Sequence, residues 1–198
     1  MIEWLGVCFA LALIVLSSIC AGDMLLRSCS RRRWEWGADR LGLDFLAGCG
    51  VISLCVFGLS LAGFASRGPF LLLAAASVWL RLWISKAEII RCLRGLRSPT
   101  RFRVSRGTLA LALPIAVFLL LFVVYASGPE NSPDATDYHL AFIKAYEKAG
   151  RFTPITDSYQ SGFPQSIEML FLFTDVFADF RACALTHVLF LVSAILLS

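Results

Sequence analysis

The chain has 198 residues, of which 58% are hydrophobic and only 16% charged, with a mean hydropathy of +0.75. A soluble domain is closer to half apolar and a quarter charged, so a water-soluble fold, a disordered chain, collagen and a disulfide scaffold are all excluded, and the bilayer is the expected solvent. The net charge of +4 is small and bears on orientation more than on partners.

About 20 apolar residues cross the hydrocarbon core. The first such stretch, Ile2 to Gly22, resembles a signal peptide only superficially. No Lys or Arg precedes it, and bulky Ile19 stands where a small residue would precede cleavage, so it reads as a retained helix. Further spans are expected at Leu41 to Ser66, Pro69 to Ser85 and Thr108 to Ser127. A fifth run, Ser166 to Phe180, is shorter and carries Glu168, Asp175 and Asp179, read as a short or tilted helix whose inner end reaches the cytoplasmic interface near Arg181. A sixth begins near Ala182 and is still apolar at Ser198, which reads as part of a longer protein. The expectation is an all-α polytopic bundle of about six spans with an amphipathic juxtamembrane helix in an external loop.

Cytoplasmic loops are enriched in Lys and Arg. Arg27, Arg31, Arg32, Arg33 and Arg40 separate the first two spans, and Lys86, Arg91, Arg94, Arg97, Arg101, Arg103 and Arg106 separate the third and fourth. Both loops are therefore expected inside, and the N-terminus and the loop after the fourth span outside, in a multi-pass protein of the inner (plasma) membrane. The arginine runs read as topology determinants, with no nucleic-acid partner. The seven cysteines, Cys8, Cys20, Cys29, Cys49, Cys55, Cys92 and Cys183, show no CxxC spacing, and no metal cluster or nucleotide-binding glycine loop is apparent.

The loop from Gly128 to Gln165 turns polar. Ser132 and Pro133 suit a helix start and Gly150 a stop. Between them Tyr138, Ala141, Phe142, Ala145, Tyr146 and Ala149 recur at helical spacing, with His139, Lys144, Glu147 and Lys148 elsewhere around the wheel. This predicts an amphipathic interfacial helix of about 17 residues, with Asp134 extending its apolar stripe. A carboxylate in that position is costly to desolvate unless it is paired or functional. The plainer alternatives are that Asp134 stabilises the helix dipole, that His139, Lys144 and Lys148 are merely solvated, and that Glu168 acts on its own helix end.

Asp134-Ala135-Thr136-Asp137-Tyr138-His139-Leu140, then Lys144, Tyr146 and Gly150, then Pro164 and Glu168-Met169-Leu170, resemble the first external loop of the GT-C membrane glycosyltransferases, in particular the dolichyl-phosphate-mannose-protein mannosyltransferase-like bacterial enzymes. The resemblance covers residues 108–198 (a span, the external loop 128–165 and two further spans, with the rest of the bundle expected beyond). Residues 1–107, the N-terminal spans with their Arg-rich loops, lie outside it. It implies transfer of a sugar from a polyprenyl-phosphate donor to a glycan, lipid or protein acceptor at the outer face, with no cofactor beyond that lipid-linked donor. Asp134 is then the implied base, Asp137 its alternative. Lys144, Lys148 or Arg151 would hold the donor phosphate, and Tyr138, His139 and Glu168 would complete the substrate site. A non-catalytic transporter or flippase component for lipid-linked sugars, for which Glu168, Asp175 and Asp179 supply intramembrane charge, stays open, as does an inactive fragment.

Overall fold

In hydrocarbon each backbone N–H and C=O must be satisfied within its own segment, so apolar runs of this length fold as helices. The computed structural model describes residues 2–29, 37–84, 106–128, 132–156, 158–162 and 165–198, and among them every regular element is helical. The arginines at positions 31–33, the basic segment 86–103, Cys92 and Pro164, all used in the sequence reading, lie outside the described residues.

The long helices are α1 (Ile2–Cys29), α2 (Ala38–Leu61), α3 (Arg67–Ile84), α4 (Arg106–Ala126) and α7 (Phe180–Leu197). Between the last two lie α5 (Leu140–Ala149), which a π-helical turn at Ala135–His139 precedes, and α6 (Ser166–Asp175). Four of them, α1, α2, α3 and α7, are long and apolar enough to cross a membrane. Helix α6 is not. Its 10 residues rise about 15 Å, half the thickness of the hydrocarbon core. The run Ser166 to Phe180 is apolar because its helix is enclosed by protein: Met169 through Val176 are buried, packed on α2, α5 and α7.

Contacts sort the helix ends into two groups. At one end the Arg181 guanidinium binds Glu3 at 2.9 Å and lies 5.0 Å from the Trp4 ring centroid, joining the starts of α1 and α7. The polar loop belongs to this end, because Phe152 N–H donates to Ser60 O at 2.9 Å and Ala65 N–H to Gly150 O at 3.0 Å. Asp175 and Asp179 are there too. Asp175 binds Lys144 of α5, and Asp179 caps α7 by accepting from Arg181 N–H at 2.9 Å. This corrects the expectation that these two acids reach the end opposite the loop. Helix α6 is too short to cross, whereas α7, which follows it, is long and apolar enough to do so.

The other end is held by buried charge. Asp23 of α1 accepts from Arg27 at 2.8 Å, from Arg40 of α2 at 3.1 Å and from Arg81 of α3, while Arg40 also pairs with Asp44 at 2.9 Å. Acid and base are drawn together because an isolated charge in hydrocarbon is costly. Glycine permits the close crossing beneath this network: a Cβ on Gly48 would fall 1.7 Å from Ser18 O, and one on Gly22 would fall 1.8 Å from Asp44 O. Small residues of this kind let backbones approach where no hydrophobic effect drives association.

Candidate functional site

The loop helix runs from Pro133 to Ala149 and stops at Gly150, whose φ of 67° is the left-handed cap that glycine adopts without strain. These limits are those expected from Ser132-Pro133 and Gly150. The face differs. Leu140 N–H donates to Ala135 O, five residues back, so one turn holds an extra residue. The buried stripe becomes Phe142, Ile143 and Tyr146 with His139 half-buried, while Ala141 and Ala149 are exposed. Asp134 and Asp137 are exposed as well, which corrects the placement of Asp134 on the apolar stripe. Pi-turns recur at functional sites.

His139, on the same stripe as Phe142, Ile143 and Tyr146, packs against α6. Its Nδ1 lies 2.8 Å from Oε1 of Glu168, a residue 3% exposed whose other carboxylate oxygen has no hydrogen-bond partner among the described residues. A carboxylate can only accept, so in a contact to carboxylate the Nδ1 of His139 is the donor. The Tyr138 ring lies against His139, tilted by 42° with ring centroids 4.1 Å apart. Burial first, then the charges of Asp134 and Glu168, raise the Tyr138 hydroxyl above its ordinary range.

Around this pair α6 is fastened on several sides. The Ser53 hydroxyl of α2 donates to Ser166 O at 2.7 Å, fixing where α6 begins. The Tyr146 hydroxyl donates to Gln165 at 3.3 Å, and burial, with help from Glu168, pushes it up to about 12. Phe70 of α3 stacks on Phe173 at 5.9 Å. At its far end Asp175 accepts from Lys144 at 2.5 Å, while Lys144 also reaches Glu147 at 3.1 Å. Burial raises the Asp175 carboxyl against the pull of Lys144. Burial would lower the Lys144 ammonium, but its hydrogen bonds to Asp175 and Glu147 outweigh that and raise it.

His139 lines a mostly apolar cleft of about 210 Å³. Its walls are Phe122, Tyr125 and Ala126 of α4, Ala135 and Leu140 of the loop helix, Phe171 of α6, and Phe180, Cys183 and His187 of α7. Phe171 stands between two imidazoles, with centroids 6.2 Å from His139 and 4.9 Å from His187. A second cleft of about 370 Å³ lies across α6, between Ser53 and Phe57 of α2, Phe152, and Gln165 and Met169.

Of the sequence-predicted site residues, the fold unites Tyr138, His139 and Glu168. It commits Lys144 to Asp175, and it leaves Asp134, Asp137, Lys148 and Arg151 exposed, none of them in the lining of either cleft. Two participants were not singled out from sequence. His187 carried a signal, being a histidine inside an apolar run; Phe171 carried none. Among the described residues no group of three His, Cys, Asp or Glu side chains is placed to hold a metal ion. Comparison with family models, with curated proteins and with solved structures yields no match.

Proposed function

We propose that the chain is part of a membrane glycosyltransferase of the GT-C kind, which takes a sugar from a polyprenyl-phosphate donor at the outer face of the inner membrane. The supporting observation is the His139–Glu168 hydrogen bond, 2.8 Å long between residues 29 apart in sequence. It joins the two separate pieces of sequence on which the resemblance rests, and it does so at an apolar cleft.

The cleft suits a lipid carrier. Helix α4 beside it presents Leu120, Leu121 and Val124 to the surroundings, so an isoprenoid chain can pass from the hydrocarbon to Phe122 and Tyr125 without leaving apolar surface. The polar members of the lining, His139 and His187, mark where the phosphate and sugar would sit. A phosphate ester is already a competent leaving group, so the protein has to position the sugar, exclude water and accept one proton from the acceptor hydroxyl. The resemblance assigns that proton to Asp134 or Asp137, both on the exposed flank of the helix that walls the cleft. Lys148, in the last turn of that helix, and Arg151, just after it, are the exposed basic candidates for the phosphate, since Lys144 is engaged by Asp175. In this reading the N-terminus and the loop face outward, and the Asp23–Arg40–Arg81 network faces the cytoplasm, in keeping with the arginine-rich stretches that follow α1 and α3 in the sequence.

The test is reconstitution of the full chain into proteoliposomes with undecaprenyl phosphate bearing glucose, mannose or a pentose, and octyl glucoside as acceptor. Release of undecaprenyl phosphate with matching glycosylation of the acceptor is expected for at least one donor. Movement of the intact donor between leaflets without cleavage would instead establish the transporter reading, which the buried Glu168 and Asp175 favour.

A further inference from the structure

We infer that His139, oriented by Glu168, is the group that takes the proton from the acceptor hydroxyl; the inference rests on the transferase reading above and departs from its family-based choice of base. Four observations carry it. Asp134 and Asp137 are exposed and outside the lining of the cleft, whereas the His139 ring lines it. The Nδ1 of that ring is held at 2.8 Å by a carboxylate. Glu168 is itself buried, and its second oxygen has no hydrogen-bond partner among the described residues, so the imidazole is its one such partner there. His139 closes a π-helical turn, Ala135–His139, and turns of this kind are rare and recur at functional sites.

The step balances as follows. The acceptor oxygen forms a bond to the anomeric carbon as the bond from that carbon to the phosphate oxygen breaks, and the electron pair leaves with the polyprenyl phosphate. The acceptor proton passes to Nε2 of His139. The resulting imidazolium is stabilised by Glu168 on the opposite nitrogen, as a carboxylate stabilises the imidazolium of a hydrolase triad. The proton then returns to water. A carboxylate accepting from Nδ1–H both fixes the tautomer with a free Nε2 lone pair and offsets the charge that develops, so Glu168 is a positioning residue in this scheme. Phe171 and Tyr138 flank the ring and limit its rotation.

The deciding experiment uses the full chain in the same proteoliposomes, with two readouts: photo-crosslinking of a diazirine-tailed undecaprenyl phosphate glucose, and release of undecaprenyl phosphate. His139→Ala is expected to keep donor crosslinking and to lose turnover by roughly 100-fold or more, the scale of a lost general base. Added imidazole is expected to restore that turnover at least about tenfold, because a small base can occupy the vacated space. His139→Gln keeps a hydrogen bond to Glu168, and so reports on folding; it should crosslink normally and stay inactive, without rescue. Glu168→Gln should lower kcat by roughly 10- to 100-fold with KM nearly unchanged. Turnover by His139→Ala within about threefold of the parent, or a loss that imidazole does not restore, overturns the assignment while leaving the transferase reading intact. A parent protein that neither crosslinks nor cleaves any of the donors overturns both.

Discussion

Replacing Gly48 by Ala probes the crossing on which the whole arrangement rests. The added Cβ would stand 1.7 Å from Ser18 O, 2.4 Å from its carbonyl carbon and 2.8 Å from its Cα, all backbone atoms of α1 that cannot swing aside. Ordinary contact, 3.4 Å or more, is regained only if α1 and α2 part by about 1.7 Å, against a packing that small residues made tight. That shift strains the Arg40–Asp23 contact, now 3.1 Å, beyond hydrogen-bonding distance, and it displaces Ser53, which lies five residues further along α2 and holds the start of α6. Overpacking of this kind costs about 1–3 kcal/mol, before the weakened charge network adds its share. Gly50→Ala on the same helix meets nothing within 4 Å and should be neutral or slightly stabilising, since alanine is the better helix former. The assay is SDS titration of the reconstituted protein, followed by tryptophan fluorescence. Disulfide formation between Cys49 and a cysteine at position 18 provides a distance readout, the present Cys49 Sγ to Ser18 Oγ separation being 3.5 Å. Equal stability and equal crosslinking for the Gly48 and Gly50 variants would refute the close-crossing argument.

The Lys144–Asp175 pair should respond asymmetrically. Lys144→Gln strands a carboxylate whose side chain is 0% exposed and costs about 3 kcal/mol, the low end for breaking a buried pair, whereas Asp175→Asn leaves a lysine side chain that is 58% exposed and hydrated, and costs well under half of that. The pH sign follows from the raised Asp175 carboxyl: its protonation favours the folded state below the ordinary carboxylate range and that contribution is lost as pH rises through the folded value, so the Lys144→Gln deficit shrinks on acidification, as paired SDS titrations would show. Ser53→Ala removes the donor to Ser166 O and costs about 1 kcal/mol, with faster amide exchange confined to the first turn of α6. At the opposite end, Asp23→Asn removes the carboxylate on which Arg27, Arg40 and Arg81 converge and should cost about 3–5 kcal/mol. Arg27→Gln, at the exposed margin, should cost below about 1 kcal/mol, and monodispersity in detergent would rank the two.

The long helices were legible because a hydrocarbon solvent forces apolar runs to be helical, whatever they pack against. Their ends were less so: α1 was expected to stop at Gly22 and continues to Cys29, since Asp23 and Arg27 pair with each other one turn apart and stay in the helix. The loop helix was legible at both limits because its start and its Gly150 stop are local chemistry. Its buried face was not: the stripe expected through Tyr138, Ala141, Ala145 and Ala149 and the buried one through His139, Phe142, Ile143 and Tyr146 are neighbours at the same helical spacing, and only packing against α6 selects between them. Helix α6 was misread for a related reason. Hydropathy registers that Leu170, Phe171, Leu172 and Phe173 avoid water; it does not register whether lipid or protein receives them.

The acids of α6 were the clue that protein receives them. Glu168 and Asp175 stand two turns apart on one short helix, and both reach the loop helix, the first to His139 and the second to Lys144. Two acid–base contacts at separate points fix the register of one helix on the other, which neither would do alone. They differ in what else they can do. Lys144 is shared with Glu147 and open to water, so its contact serves as a fastening, and no cleft is lined by either partner. His139 sits against an apolar cleft with a titratable nitrogen left over, and its carboxylate is sequestered from water. A fastening needs only opposite charge, and lysine supplies it. An imidazole held through one nitrogen, on a residue that lines a cleft, has in its second nitrogen the capacity to exchange a proton with whatever enters.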